Sequence, residues 1–74
     1  MFLCDAKKNE EYLITELIFT GKVLSRFESL TLKVGKRVKV KGWSLLNSSV
    51  LIEFDGRLIA IRKSIARQIK VSRV

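Results

Sequence analysis

In Arg37-Val38-Lys39-Val40-Lys41 the hydrophobic and polar positions alternate, valines on one side and cations on the other, which predicts a strand with one wet face. Ser49-Val50-Leu51-Ile52-Glu53-Phe54 and Arg57-Leu58-Ile59-Ala60-Ile61-Arg62 are two further runs, joined by Asp55-Gly56. Asp-Gly between such runs predicts a two-residue hairpin loop, because both loop positions must accept positive φ. That loop sets Ile52 opposite Ile59 and Val50 opposite Ile61. These four then share one face with Phe54, while Leu51, Leu58 and Ala60 point the other way. Both faces carry apolar groups, as they do where a sheet curls or meets a partner.

Glu11 to Phe19 reads as another strand, less regular in its alternation. Gly21 opens a stretch in which Val23, Phe27 and Leu30 fall at i, i+4 and i+7, the stripe of a short helix covering one side of the sheet. Gly35 marks the return to strand. Ser64 is placed to cap one helical turn, Ile65 to Gln68, before a last strand at Ile69-Lys70-Val71. Five short strands, one short helix and one helical turn, without a long crossover, predict an all-β small antiparallel barrel. Its expected core is Val38, Val40, Val50, Ile52, Phe54, Ile59, Ile61 and Ile69, with Val23, Phe27 and Leu30 laid over one side.

Length narrows this picture to a single domain spanning 1–74, since a chain of 74 residues buries only about 60% of its unfolded surface and cannot support two cores. Hydrophobic residues make up 47% of it, too many for a disordered chain. Cys4 is the one cysteine and histidine is absent. An internal disulfide is therefore impossible, and a Cys/His zinc site is excluded for a single chain. The N-terminus lacks the apolar run of an export signal, and no window is long and apolar enough to span a bilayer, so a cytoplasmic protein is expected.

Charge adds a strong asymmetry. Residues 1–32 hold four bases against five acids, whereas residues 33–74 hold eleven bases against Glu53 and Asp55, for an overall +8. The last eighteen residues contain six Arg or Lys and no acid. Such a field attracts nucleic acid, an anionic membrane surface or an acidic protein, and does not by itself choose among them.

Candidate chemistry is sparse. Without histidine, and with its carboxylates scattered, the chain offers no acid–base pair and no base for its serines, so it is expected not to be an enzyme and to carry no cofactor or metal site. The four glycines are too dispersed for a phosphate-cradling loop. The cations Lys36, Lys39, Lys41, Arg57, Arg62, Lys63, Arg67, Lys70 and Arg73 could line a nucleic-acid track on which Trp43 or Tyr12 stacks, or could simply form a solvated face. Trp43, at the end of its strand, fits partner contact and partial burial equally.

Arg26-Phe27 with the run from Glu28 to Val40 resembles the "R-L-x-x-L-G-L-x-x-G-x-x-V-x-V" segment of the ferrous iron transport protein A (FeoA) family. Ile59-Ala60-Ile61-Arg62-Lys63 with Ala66, Ile69 and Val71 is similar to its "h-A-h-R-x-x-x-A-x-x-I-x-V" ending, where h is aliphatic. Ala6-Lys7-Lys8-Asn9, then Tyr12 and Ile14, is similar to its opening. Thr31 stands where the Leu-Gly-Leu glycine is usual, and Asn9 stands where another glycine is usual. The resemblance covers nearly the whole chain. It implies an SH3-like barrel and a cytosolic supporting role in ferrous iron uptake beside the membrane GTPase transporter, ferrous iron transport protein B (FeoB).

The leading expectation is thus a non-enzymatic module that docks on the transporter's cytosolic part. Its contact residues would be Leu58, Arg62, Arg67 and Lys70 of the basic end, with the helix end near Leu32, and Arg26 and Trp43 alongside. Contact with the membrane would be peripheral at most, and weak self-association is compatible with the pattern. The alternative is a nucleic-acid-binding barrel that uses the basic second half. A third reading is a detached copy of the SH3-like domain that ends metal-dependent repressors.

Overall fold

The computed structural model describes every residue from Met1 to Val74. Five antiparallel strands form one curled sheet: β1 (Glu11–Leu17), β2 (Arg37–Trp43), β3 (Ser49–Phe54), β4 (Arg57–Arg62) and β5 (Ile69–Arg73), in the order β4-β3-β2-β1-β5. Helix α1 (Gly21–Ser29) joins β1 to β2, and the single turn α2 (Lys63–Ala66) joins β4 to β5.

The hairpin has the register its loop dictates. Val50 faces Ile61 and Ile52 faces Ile59, with Asp55 and Gly56 at φ 51° and 75°. On the outer face Glu11, Lys39 and Glu53 stand side by side across β1, β2 and β3, so each carboxylate has the lysine as its cross-strand neighbour. Bulges at Thr15 in β1 and Lys41 in β2 turn the sheet in on itself.

Sixteen buried residues make the core, and seven of the eight expected members are among them. Ile59 is the exception: β4 is an edge strand, and Ile59 is covered from one side only. The core also takes in Leu3, Ala6, Tyr12, Ile14, Phe19, Leu32, Ala66 and Val71. β1 stops at Leu17, so that Phe19 can turn inward onto Phe27, with ring centroids 4.8 Å apart and tilted by 57°. Leu3 is fully buried because the N-terminal residues lie along β5, where the Val71 N–H donates to the Met1 carbonyl at 2.8 Å and Phe2 bridges to Lys70.

Two local expectations are corrected. Ser64 does not cap α2: the helical turn starts two residues earlier than Ile65, at Lys63, behind Arg62, with no side-chain cap. The Lys63 N–H is satisfied instead by the Ser48 carbonyl at 3.0 Å, so the tertiary contact replaces the cap. Helix α1 ends at Ser29 rather than near Leu32. Its end is a Schellman turn, in which the Leu32 N–H reaches the Phe27 carbonyl at 3.0 Å and the Thr31 N–H reaches that of Glu28 at 2.9 Å. Thr31 occupies the left-handed position at φ 63°, where a β-branched side chain is strained. Leu32 and Phe27, both buried, form the apolar contact that accompanies such a turn.

A candidate docking groove between helix and edge strand

Residues of α1 and of the edge strand β4 stand on either side of a gap. The gap is a groove of about 460 Å³. Its base is formed by the buried side chains of Phe27, Leu32 and Ile61, and its walls by half-buried Val23, Leu30, Ile59 and Ile65. Exposed Arg26 of α1 and Arg62 of β4 also line it, and neither is in an ion pair. An apolar trough flanked by two free guanidinium groups can take a hydrophobic side chain and carboxylates from the same partner.

The groove gathers only part of the expected contact set. Arg26 and Arg62 meet in it, and Leu32 lies beneath it. Leu32 is fully buried, so it shapes the floor and presents no surface of its own, because the Schellman turn folds it under the helix. Leu58 is 62% exposed but sits on the other face of β4, opposite Glu53. Arg67 is exposed at the end of α2. Lys70 is on the opposite sheet edge and is already engaged, 3.6 Å from Glu16 and 5.8 Å from the centre of the Phe2 ring. Trp43 is half-buried against the core at the end of β2. Tyr12 is no stacking platform, since it is buried and its hydroxyl accepts the Lys7 N–H at 2.8 Å.

The walls were missed from sequence. Val23 and Leu30 belong to the periodic stripe of α1, and periodicity says that a face is apolar without saying whether it is fully covered. Ile65 is drawn to the groove by the shifted start of α2.

No group of three His, Cys, Asp or Glu side chains is gathered where it could hold a metal ion. Burial, and then the neighbouring Asp5 carboxylate, push the Cys4 thiol above its ordinary value, which disfavours the thiolate that ligation and nucleophilic attack require. No helix is long and apolar enough to cross a membrane.

Five short antiparallel strands curled around one core, with a short helix over a sheet edge, define a small SH3-like barrel. The solution structure of the FeoA protein from Chlorobium tepidum matches it with a TM-score of 0.92 at 24% identity, covering all of this chain and 70% of that one. That of iron(II) transport protein A from Clostridium thermocellum also reaches 0.92, at 20% identity, covering all of this chain and 46% of that one. The manganese-activated repressor ScaR with bound Cd2+ gives 0.88 at 27% identity over all of this chain and 35% of its own. The chain thus spans less than half the length of the last two. No curated protein matches it. The family model of the FeoA domain matches residues 1–73, and the chain belongs to the FeoA domain family.

Proposed function

We propose that this FeoA domain is a non-enzymatic accessory module of ferrous iron uptake that works on the cytoplasmic side of the membrane, docking as one unit on the cytosolic part of the GTPase transporter FeoB. The observation that carries the reading is the open groove, in which an apolar floor lies between the unpaired Arg26 and Arg62. An amphipathic helix or strand with an aliphatic anchor and flanking acids fits it, since desolvating the anchor supplies affinity while the charges steer and orient. Lysine would not serve as well as arginine there, because only the guanidinium offers a planar fork to a carboxylate.

Titration calorimetry of the transporter's cytosolic domain tests this. The native chain binds, and R26E/R62E loses at least ~10-fold in affinity, the smaller end of what two groove charges contribute at such a site. Equal binding by the double variant, checked for folding, moves the contact elsewhere. The nucleic-acid reading has less support, because Tyr12 is buried and Trp43 only half available for stacking. Retention on a DNA column that falls steeply with salt would favour it instead.

A further inference from the structure

The loop between β2 and β3 carries an apolar cluster that the groove does not use. Leu45 is 87% exposed and Leu46 90% exposed, side by side at the tip of a turn, with Trp43 at its base. The turn is well built. The Ser44 N–H donates to the Ser49 carbonyl at 2.9 Å, and the Ser44 hydroxyl accepts the Ser49 N–H at 2.8 Å. Leu46 and Asn47 are both left-handed, at φ 66° and 55°, which a leucine adopts only under constraint. A single exposed leucine needs no explanation, but two adjacent ones on a braced tip form a patch.

Its surroundings are cationic. Lys41 precedes Gly42 in the same strand, and the Lys8 side chain lies over that glycine, 3.7 Å from where a Cβ would stand. Arg62 is opposite Ser49, and Lys63 donates its N–H to Ser48. None of these four cations is in an ion pair. There is no acid from Lys33 to Ile52, nor from Arg57 to Val74.

We infer that this tip is an interfacial anchor for an anionic bilayer surface: Leu45 and Leu46 insert at the headgroup boundary while Lys8, Lys41, Arg62 and Lys63 lie against the lipid phosphates. A bilayer suits the tip because the two exposed leucines line none of the three surface grooves and the unpaired cations around them match an anionic headgroup surface. An exposed apolar tip ringed by cations is the arrangement that interfacial attachment uses, with tryptophan suited to the headgroup level. The inference does not depend on the groove reading. Arg62 would serve both surfaces, so the test is placed on the leucines.

The test is sedimentation of the full chain with vesicles of phosphatidylcholine alone or enriched in phosphatidylglycerol, at about 0.1 M salt so that long-range attraction is screened. Emission of Trp43, the only tryptophan, is read in parallel. The native chain should bind the anionic vesicles and not the neutral ones, and its emission should shift to the blue. The L45S/L46S variant, with unchanged thermal unfolding, should bind at least ~10-fold more weakly, a conservative figure for removing two inserted leucines. Failure of the native chain to bind, or equal binding by the variant without a Trp43 shift, overturns the inference; the latter is charge-only adsorption. Weakened binding of the variant to the transporter domain, with vesicle binding intact, would reassign the tip to a protein partner.

Discussion

At the β5 edge, Lys70 lies 3.6 Å from Glu16, and Arg73 grips Glu10 through two N–H donors, Nε at 2.7 Å. At the β4 edge, Arg57 and Arg62 have no carboxylate partner; Arg57 rests 5.5 Å from the centre of the Phe54 ring, and Arg62 lines the groove. All four cations come from the same acid-free stretch at the end of the chain. They differ because antiparallel pairing sets β5 beside β1, which brings the acids of the first half, whereas β4 has β3 as its only neighbour. The β5 edge is also closed by Met1 and Phe2, while β4 is left open under α1. Exposed ion pairs contribute little to stability. Their consequence here is which cations remain free to meet a partner.

The largest expected effect comes from breaking the support that both edges share. Ile52→Ala, which removes a fully buried side chain from β3, should cost about 2–5 kcal/mol in urea unfolding, because the small core cannot collapse around the cavity. A loss below about 0.5 kcal/mol would contradict a packed hairpin at this register. The open side can be sharpened instead. Thr31→Gly should raise stability by about 0.5–1 kcal/mol, since relief of left-handed strain outweighs the freedom that glycine gains in the unfolded chain. The gain would be localised at the helix end over the groove, visible as slower amide exchange at Leu32.

The smallest effect separates the two edges by pH. Hydrogen bonding to Arg73 holds the Glu10 carboxyl below its ordinary value, and Lys36, 2.8 Å away, does the same for Asp55. A carboxyl depressed in the folded state contributes stability that is present above its unfolded value and is lost as pH falls through the folded one. Arg73→Ala should therefore flatten the acid limb of the stability curve slightly. Arg62→Ala, which removes no carboxylate partner, should leave that limb unchanged; an equal change in both variants would contradict the difference between the edges.

Much of this was legible in the sequence where one local rule decides. Asp55-Gly56 selected its loop, the loop set the register, and the register placed Val50, Ile52 and Ile61 inside. The spacing of five short strands without a long crossover pointed to the barrel, and the family resemblance to its SH3-like form. What was not legible depends on contacts between distant segments. Nothing periodic marks Leu3 as core, because it is buried by an N-terminal segment whose partner, Val71, is at the other end of the chain. Leu32 carries no local mark of burial, because the Schellman turn that buries it is usually signalled by a glycine and Thr31 stands there instead. Of the expected contact residues, Arg26 and Arg62 share one groove although they lie far apart in sequence. Lys70 follows Arg62 closely and is carried away from it, since α2 reverses the chain and delivers β5 to the opposite edge.

The central claim is that the free cations at the open edge, and not the basic charge as a whole, define the docking surface. It is tested most directly by measuring the affinity of the transporter's cytosolic domain for two charge-matched double variants, R26E/R62E and K70E/R73E, each confirmed as folded. Both lower the net charge equally. The account predicts a loss of at least ~10-fold for the first and under ~3-fold for the second, by the usual conversion of interface charge effects to affinity. Equal losses would show that net charge alone drives binding, and a larger loss for K70E/R73E would put the docking surface on the closed edge.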